Sequence, residues 1–246
     1  ETSCVVVQSP SFYGHLIDLA PIAEKAHAVG ALLVAVFTEV VALGAIEPPG
    51  TQGADIVVGE GQPLGIPLSY GGPYLGFFAT KMANIRRIAG RIVGETLDSD
   101  GKTAYVMTLR PREQDIRREK ATSNICTNTG LMALAATVYM SLMGKAGLKK
   151  AAELSYHKAH YAADRIAVLS GYSVDLTLPF FNEFVVKCPV PVAQVNERLL
   201  MEGIVGGYDL GIDYPDLKDH MLVCVTEVNT KEEIDVLVDV LREAKS

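Results

Sequence analysis

Residues 31–37, Ala-Leu-Leu-Val-Ala-Val-Phe, are seven apolar residues in a row. A half-exposed strand alternates apolar with polar residues. A strand that does not alternate is buried on both faces, which is the habit of a parallel sheet covered by helices. The flanking sequence fits. Residues 4–8 (CVVVQ) read as a second buried strand. Residues 18–29, between the two, read as a helix: Asp18 is placed to cap it, Pro21 falls in its first turn and Gly30 ends it. Residues 54–58 and 76–80 supply a third and a fourth strand. The pattern predicts an α/β fold built on a mostly parallel sheet.

Further on, Leu131, Leu134, Val138 and Leu142 recur at helical spacing, and Met132, Ala136, Tyr139 and Met143 fill another face. Apolar residues on most sides predict a buried helix over 128–143. Residues 148–170 continue helical until Gly171. The pattern then restarts, with strands at 172–176 and 182–188, a helix at 191–201, a strand at 220–225 and a helix at 231–244. Two units follow from this: residues 1–150, part of a large α/β domain with a linking helix, and residues 151–246, a small C-terminal α+β domain. The chain opens inside a strand and without Met, so it is expected to be a piece of a longer chain.

The net charge of −7 argues against a nucleic-acid surface, which needs an excess of Lys and Arg. The longest apolar run is about nine residues, against the roughly 20 that span a bilayer, so no membrane partner is expected. Cys4, Cys126, Cys188 and Cys224 lie far apart without CxxC spacing. They are expected to be buried free thiols in a reducing compartment, which points to the cytoplasm.

Two stretches stand out chemically. Residues 59–76 hold six glycines and three prolines in eighteen residues. A loop of this kind brings bare backbone close to a ligand or a subunit. It fits neither GxGxxG nor GxxxxGK[ST], so it is no nucleotide fingerprint. Residues 110–120 carry five cationic and three acidic side chains and run into a polar segment, 121–128. Guanidinium groups there suit carboxylate or phosphate, and a solvated charge run is the plain alternative. His157 and His160 share a helix face but have no third ligand nearby in sequence, so no metal site is expected.

Residues 53–67 (GADIVVGEGQPLGIP), 90–96 (GRIVGET), 112–128 (REQDIRREKATSNICTN) and 180–184 (FFNEF) resemble glycine decarboxylase, the P-protein of the glycine cleavage system, in the first subunit of its two-chain form. The resemblance covers essentially the whole chain and lacks that subunit's first half. It implies the fold of type I pyridoxal-phosphate enzymes. It also implies a part in glycine decarboxylation, with aminomethyl transfer to the lipoyl group of H-protein. In the family the second (beta) subunit holds the cofactor through a lysine, and the matching position here is Gln62. An amide is not the amine that an aldimine requires. The implied role is a cofactor-free half that completes the partner's site, with H-protein and the beta subunit as partners. Candidate contributors are Tyr70, Gly71, Gly72 and Pro73 from the glycine loop, and Arg117, Arg118, Lys120, Thr122 and Asn124 from the basic segment. Two other readings stand beside this one: an autonomous pyridoxal-phosphate enzyme using another lysine such as Lys81, and a pure scaffold for the partner or H-protein.

Overall fold

The computed structural model describes residues 2–88, 90–110, 113–121 and 129–244. The first sheet has the order β1 (Cys4–Gln8), β2 (Leu32–Phe37), β3 (Ile56–Glu60), β4 (Gly76–Thr80). Strands β1 to β3 run parallel, and β4 returns antiparallel to β3. Helix α1 (Ala20–Ala28) makes the crossover from β1 to β2 and packs Leu19 and Ala23 against Leu33 and Ala35. Its N-cap is Leu19, not Asp18. Asp18 acts from one position earlier, its Oδ1 accepting the Ala20 N–H at 3.1 Å.

The expectation of two buried faces holds for one of them. Leu33, Ala35 and Phe37 are buried under α1 and its neighbours, whereas Leu32 and Val6 are exposed. An unbroken apolar run records that both faces want cover, not that the same chain provides it.

Strands β5 (Ile92–Leu97) and β6 (Thr103–Thr108) form a separate antiparallel hairpin that the sequence pattern did not predict. Its turn is closed by Asp98, whose Oδ1 accepts the N–H groups of Asp100 and Lys102 at 2.8 and 2.9 Å. Val93, Leu97, Tyr105, Val106 and Met107 are exposed on it. A one-turn helix α2 (Gln114–Arg117) follows.

Helix α3 runs from Gly130 to Ala167 with one break, at Gly144 (φ +59°). The part before the break was expected to be buried, and it is not. Leu131, Leu134, Val138 and Leu142 are 50–82% exposed, and only Ala136 is buried there. Apolar residues all round a helix call for neighbours, and among the described residues none lies on that side. By length and composition alone α3 could cross a bilayer. The break leaves its apolar first part at about 21 Å, short of the roughly 30 Å core of a bilayer. The part after the break is tied into the protein. Ala151, Ala152, Ser155, Ala159, Ala162, Ala163 and Ile166 are all buried; Ala152 packs with Phe37 and Ala42, and Ala159, Ala162, Ala163 and Ile166 pack in the core of the second sheet.

The second sheet is antiparallel, ordered β7 (Ser173–Val174), β8 (Glu183–Lys187), β10 (His220–Cys224), β9 (Tyr208–Asp209). Its inner face, Phe184, Val186, Met221 and Val223, is covered by α3, by Val195 and Leu199 of α4 (Val192–Met201), and by Ile234, Val238 and Leu241 of α5 (Lys231–Glu243). Spacings of three and four residues put each helix's apolar side chains on one face. Each fully buried aliphatic side chain contributes about 1.5–3 kcal/mol. Thr230 and Glu233 close a reciprocal capping box at the start of α5.

The two sheets meet where the loop after β1 crosses the segment before β8. The Leu16 N–H donates to Pro179 O at 2.8 Å and the Phe181 N–H to Gly14 O at 3.4 Å. Gly14 has φ +84°, and a Cβ there would lie 1.9 Å from the Glu183 carbonyl oxygen, so only glycine fits.

The cysteines depart in part from expectation. Cys188 is buried, Cys4 and Cys224 have exposed surface, all three are free thiols, and Cys126 lies outside the described residues.

Candidate functional site

The glycine loop is closed at its base by one carboxylate. Glu60, the last residue of β3, accepts the Gln62 N–H at 2.9 Å and the Leu75 N–H at 2.8 Å through the same oxygen. The Gly61 N–H donates to Leu75 O at 2.6 Å. Residues 61–75 therefore leave and rejoin the sheet at one point, as an Ω-type loop does. Gln62 lies inside this base, and its side-chain amide donates to Ile66 O. Gly65 (φ +82°) packs on the Tyr139 ring, where a Cβ would come within 2.7 Å, so the loop rests on the first part of α3.

The tip points away from the body. Tyr70 is fully exposed with φ +48°, Gly71 and Gly72 follow at φ +114° and +106°, and the Gly72–Pro73 peptide is cis. Tyr70 thus presents a whole aromatic face to whatever docks there.

In the basic segment, Arg110 Nη2 pairs with Asp115 Oδ2 at 2.5 Å. That bond holds the Asp115 carboxyl below its usual range. Arg118 takes φ +52° between α2 and the 3₁₀ turn Arg118–Lys120. Arg117, Arg118 and Lys120 are all exposed. Thr122 and Asn124 lie outside the described residues. Among the described residues no hydrogen bond or ion pair joins Tyr70–Pro73 to Arg118 or Lys120.

Two polar clusters have no counterpart in the sequence reading. At the N-terminal edge of the first sheet, Asp55 Oδ1 meets Lys81 Nζ at 2.7 Å, while its Oδ2 meets His27 Nε2 at 2.7 Å and accepts the Leu33 N–H at 2.9 Å. Burial pushes this carboxyl up, but the Lys81, Leu33 and His27 bonds outweigh it and bring it down to about 2. Ligands of parallel sheets bind at the other, C-terminal edge, so this triad is a brace between α1, β2, β3 and the end of β4. Its one sequence signal was an acid inside the apolar run 54–58.

At the C-terminal edge, Glu39 accepts the Val41 N–H at 3.1 Å and an Asn182 amide proton at 3.1 Å. Burial raises its pKa against those bonds. Burial and then the charge of Glu39 raise Glu183. Burial and these carboxylates, with Glu227, push the Cys224 thiol up to about 12. Burial, with Asp219 and Asp209, does the same to Cys188, also to about 12.

His157 and His160 pack with aromatic rings. His160 stacks on Phe180 at 3.9 Å and 2°, with Tyr156 on its other side. No group of three His, Cys, Asp or Glu side chains among the described residues is arranged to hold a metal.

A covalently held pyridoxal phosphate requires a lysine amine, and neither Gln62 nor Lys81 offers a free one. Gln62 is an amide bonded inside its own loop, and Lys81 is ion-paired with Asp55.

The family model for the glycine cleavage system P-protein matches residues 1–241. The chain is 59% identical over 243 residues to the probable glycine dehydrogenase (decarboxylating) subunit 1 of Thermomicrobium roseum, covering 99% of this chain and 54% of that protein. It is 54% identical to the protein of the same name from Azorhizobium caulinodans, covering 99% and 55%. It thus spans about half the length of the curated relatives it matches. Among solved structures, an inhibitor-bound glycine decarboxylase (P-protein) superposes with a TM-score of 0.91 at 41% identity, over 98% of this chain and 55% of that one. A sphingosine-1-phosphate lyase from Burkholderia pseudomallei gives 0.66 at 17% identity, over 99% of this chain and 52% of that one, a likeness of fold alone.

Proposed function

The chain belongs to the glycine cleavage system P-protein family, and from that premise we propose that it serves as part of subunit 1 of a glycine dehydrogenase (decarboxylating). The observation that carries this reading is identity above 50%, along almost the entire chain, to relatives named as that subunit. The fold is that of type I pyridoxal-phosphate enzymes. In our reading the cofactor belongs to the second subunit of the assembly, because Gln62 and the paired Lys81 leave this chain without a free amine in the loop region. The pairing of Lys81 also weighs against an autonomous enzyme built on that residue.

Residues Tyr70 to Pro73, with Arg117, Arg118, Lys120, Thr122 and Asn124, are proposed to face the partner's site. Exposed guanidinium and ammonium groups would hold a carboxylate or phosphate there. Lipoylated H-protein is the proposed acceptor of the aminomethyl group, and the cytoplasm the proposed compartment.

The test is reconstitution. A full-length subunit 1 carrying this chain is mixed with the second subunit, pyridoxal phosphate and lipoylated H-protein. Glycine-dependent release of carbon dioxide is expected only when both subunits are present. Borohydride reduction should then label a lysine of the second subunit. A pyridoxyl adduct on a single lysine of this chain would overturn the assignment.

A further inference from the structure

We propose that the cleft between the loop after β1 and the open face of the second sheet binds a free α-amino acid with a bulky apolar side chain. The cleft holds about 600 Å³, a small-molecule volume. One wall is a polar row. Ser173, Lys187 and His220 are register partners across β7, β8 and β10, and all three line the cleft. Ser173 and Lys187 offer a hydroxyl and an ammonium, donors suited to a carboxylate, while the His220 Nδ1–H is already given to Lys218 O at 2.9 Å. Lys187 has no ion-pair partner among the described residues.

A second wall supplies the opposite charge. Asp213 and Asp216 enter the cleft from the segment before β10. Asp213 accepts the Tyr208 hydroxyl through Oδ2, which leaves its other oxygen uncommitted, and Asp216 has no side-chain partner among the described residues. Between the charged groups the lining is apolar. Val185 and Leu217 line it, and Tyr13 and Tyr214 meet edge to face at 5.9 Å.

A lysine and three carboxylates share this cleft without pairing with one another, Asp175 being bonded to Thr177. A neutral ligand would desolvate them unpaired, which is costly, and a ligand of one charge would satisfy only one wall. A zwitterion satisfies both, its carboxylate toward Lys187 and its ammonium toward Asp213 and Asp216. The aromatic lining calls for a side chain. Glycine would leave that surface wet, whereas phenylalanine or leucine would cover it. The rings of Tyr13 and Tyr214 also suit the ammonium group, which is attracted to aromatic faces.

The experiment is calorimetric titration of the chain with L-phenylalanine, 2-phenylethylamine, 3-phenylpropanoate and glycine. L-phenylalanine is expected to bind. The two singly charged analogues and glycine should each bind roughly ten-fold more weakly or worse, one charge-assisted contact or the apolar cover having been lost. Lys187→Met should weaken L-phenylalanine by a similar factor and leave 2-phenylethylamine unchanged, and Asp216→Asn should weaken both. Lys187→Arg should retain binding. All three substitutions are at surface positions, and melting curves matching the parent establish that the variants are folded. The proposal is overturned if L-phenylalanine gives no binding up to about 10 mM, a ceiling well above ordinary small-molecule affinities. It is equally overturned if an analogue binds as well as the amino acid, or if Lys187→Met leaves its affinity unchanged.

Discussion

Asp55 and Glu183 are both poorly exposed carboxylates with opposite effects on stability. Asp55 titrates near 2 in the fold, against an ordinary value of 3.8. Its contribution is therefore fully present above about pH 4 and is lost as pH falls through about 2. Asp55→Asn should cost about 2 kcal/mol at neutral pH, read as a lower denaturant midpoint with an unchanged slope. Most of that loss should disappear when the same comparison is made near pH 2. Glu183 is shifted the other way, raised by burial and by Glu39. A raised acid favours the folded state below its unfolded pKa of about 4.5, and that advantage fades as pH rises through the folded value. Glu183→Gln removes the repulsion, so it should raise the melting temperature at pH 7 by about 2–4 °C and leave it unmoved at pH 4. An unchanged or lower melting temperature at pH 7 would show that Glu39 and Glu183 do not feel each other's charge.

Elements differ in what they can donate to a neighbouring site. The basic segment is short and polar, and it places Arg117, Arg118 and Lys120 on a helical turn with no apolar anchor of its own. If it faces the partner's chemistry, Arg117→Ala in the reconstituted complex should lower kcat/KM by about ten- to a hundred-fold and leave the cofactor spectrum unchanged. Gel filtration of the same sample distinguishes this from failed assembly, and full activity of the double variant at Arg117 and Arg118 removes the segment from the mechanism. Elements with one clear periodicity were legible from sequence. β1, β2, α4, β10 and α5 fall within a residue or two of expectation, because each pairs an unambiguous apolar pattern with a Gly, Pro or Thr boundary. The β5–β6 hairpin was not. Ile92 to Thr108 mixes apolar and polar residues on both faces, since neither face is buried, and periodicity has nothing to record where burial is absent. The first part of α3 was misread for the complementary reason. Its composition was right for burial, but the covering surface is not in the described chain. Gln62 was legible only through the family resemblance, and the braces at Asp55 and Glu39 join residues too far apart in sequence for any local pattern to show.

The molecule as a whole exposes 14,900 Å², against about 10,600 Å² for a compact monomer of this mass. Exposed apolar side chains lie on the hairpin, at the glycine loop and along the first part of α3, where Leu131, Leu134, Val138 and Leu142 face solvent. Apolar patches of this kind are buried by association when nothing else covers them. Sedimentation at low micromolar concentration should therefore show self-association, and Leu134→Glu with Leu142→Glu should shift the distribution toward monomer. A parent chain that sediments as a clean monomer and binds no hydrophobic dye would contradict this. The joint between the sheets also sets an order in time. Glu39 receives its amide partner from Asn182, 143 residues later in the chain. At a synthesis rate of about 5–20 residues per second, the nascent first sheet waits roughly 7–30 s for that partner to be made. During that interval Phe37, later sealed by Phe181, lies open at the sheet's edge. Until Phe181 and Asn182 have been made, a nascent chain therefore offers an apolar sheet edge to whatever binds apolar segments at the ribosome.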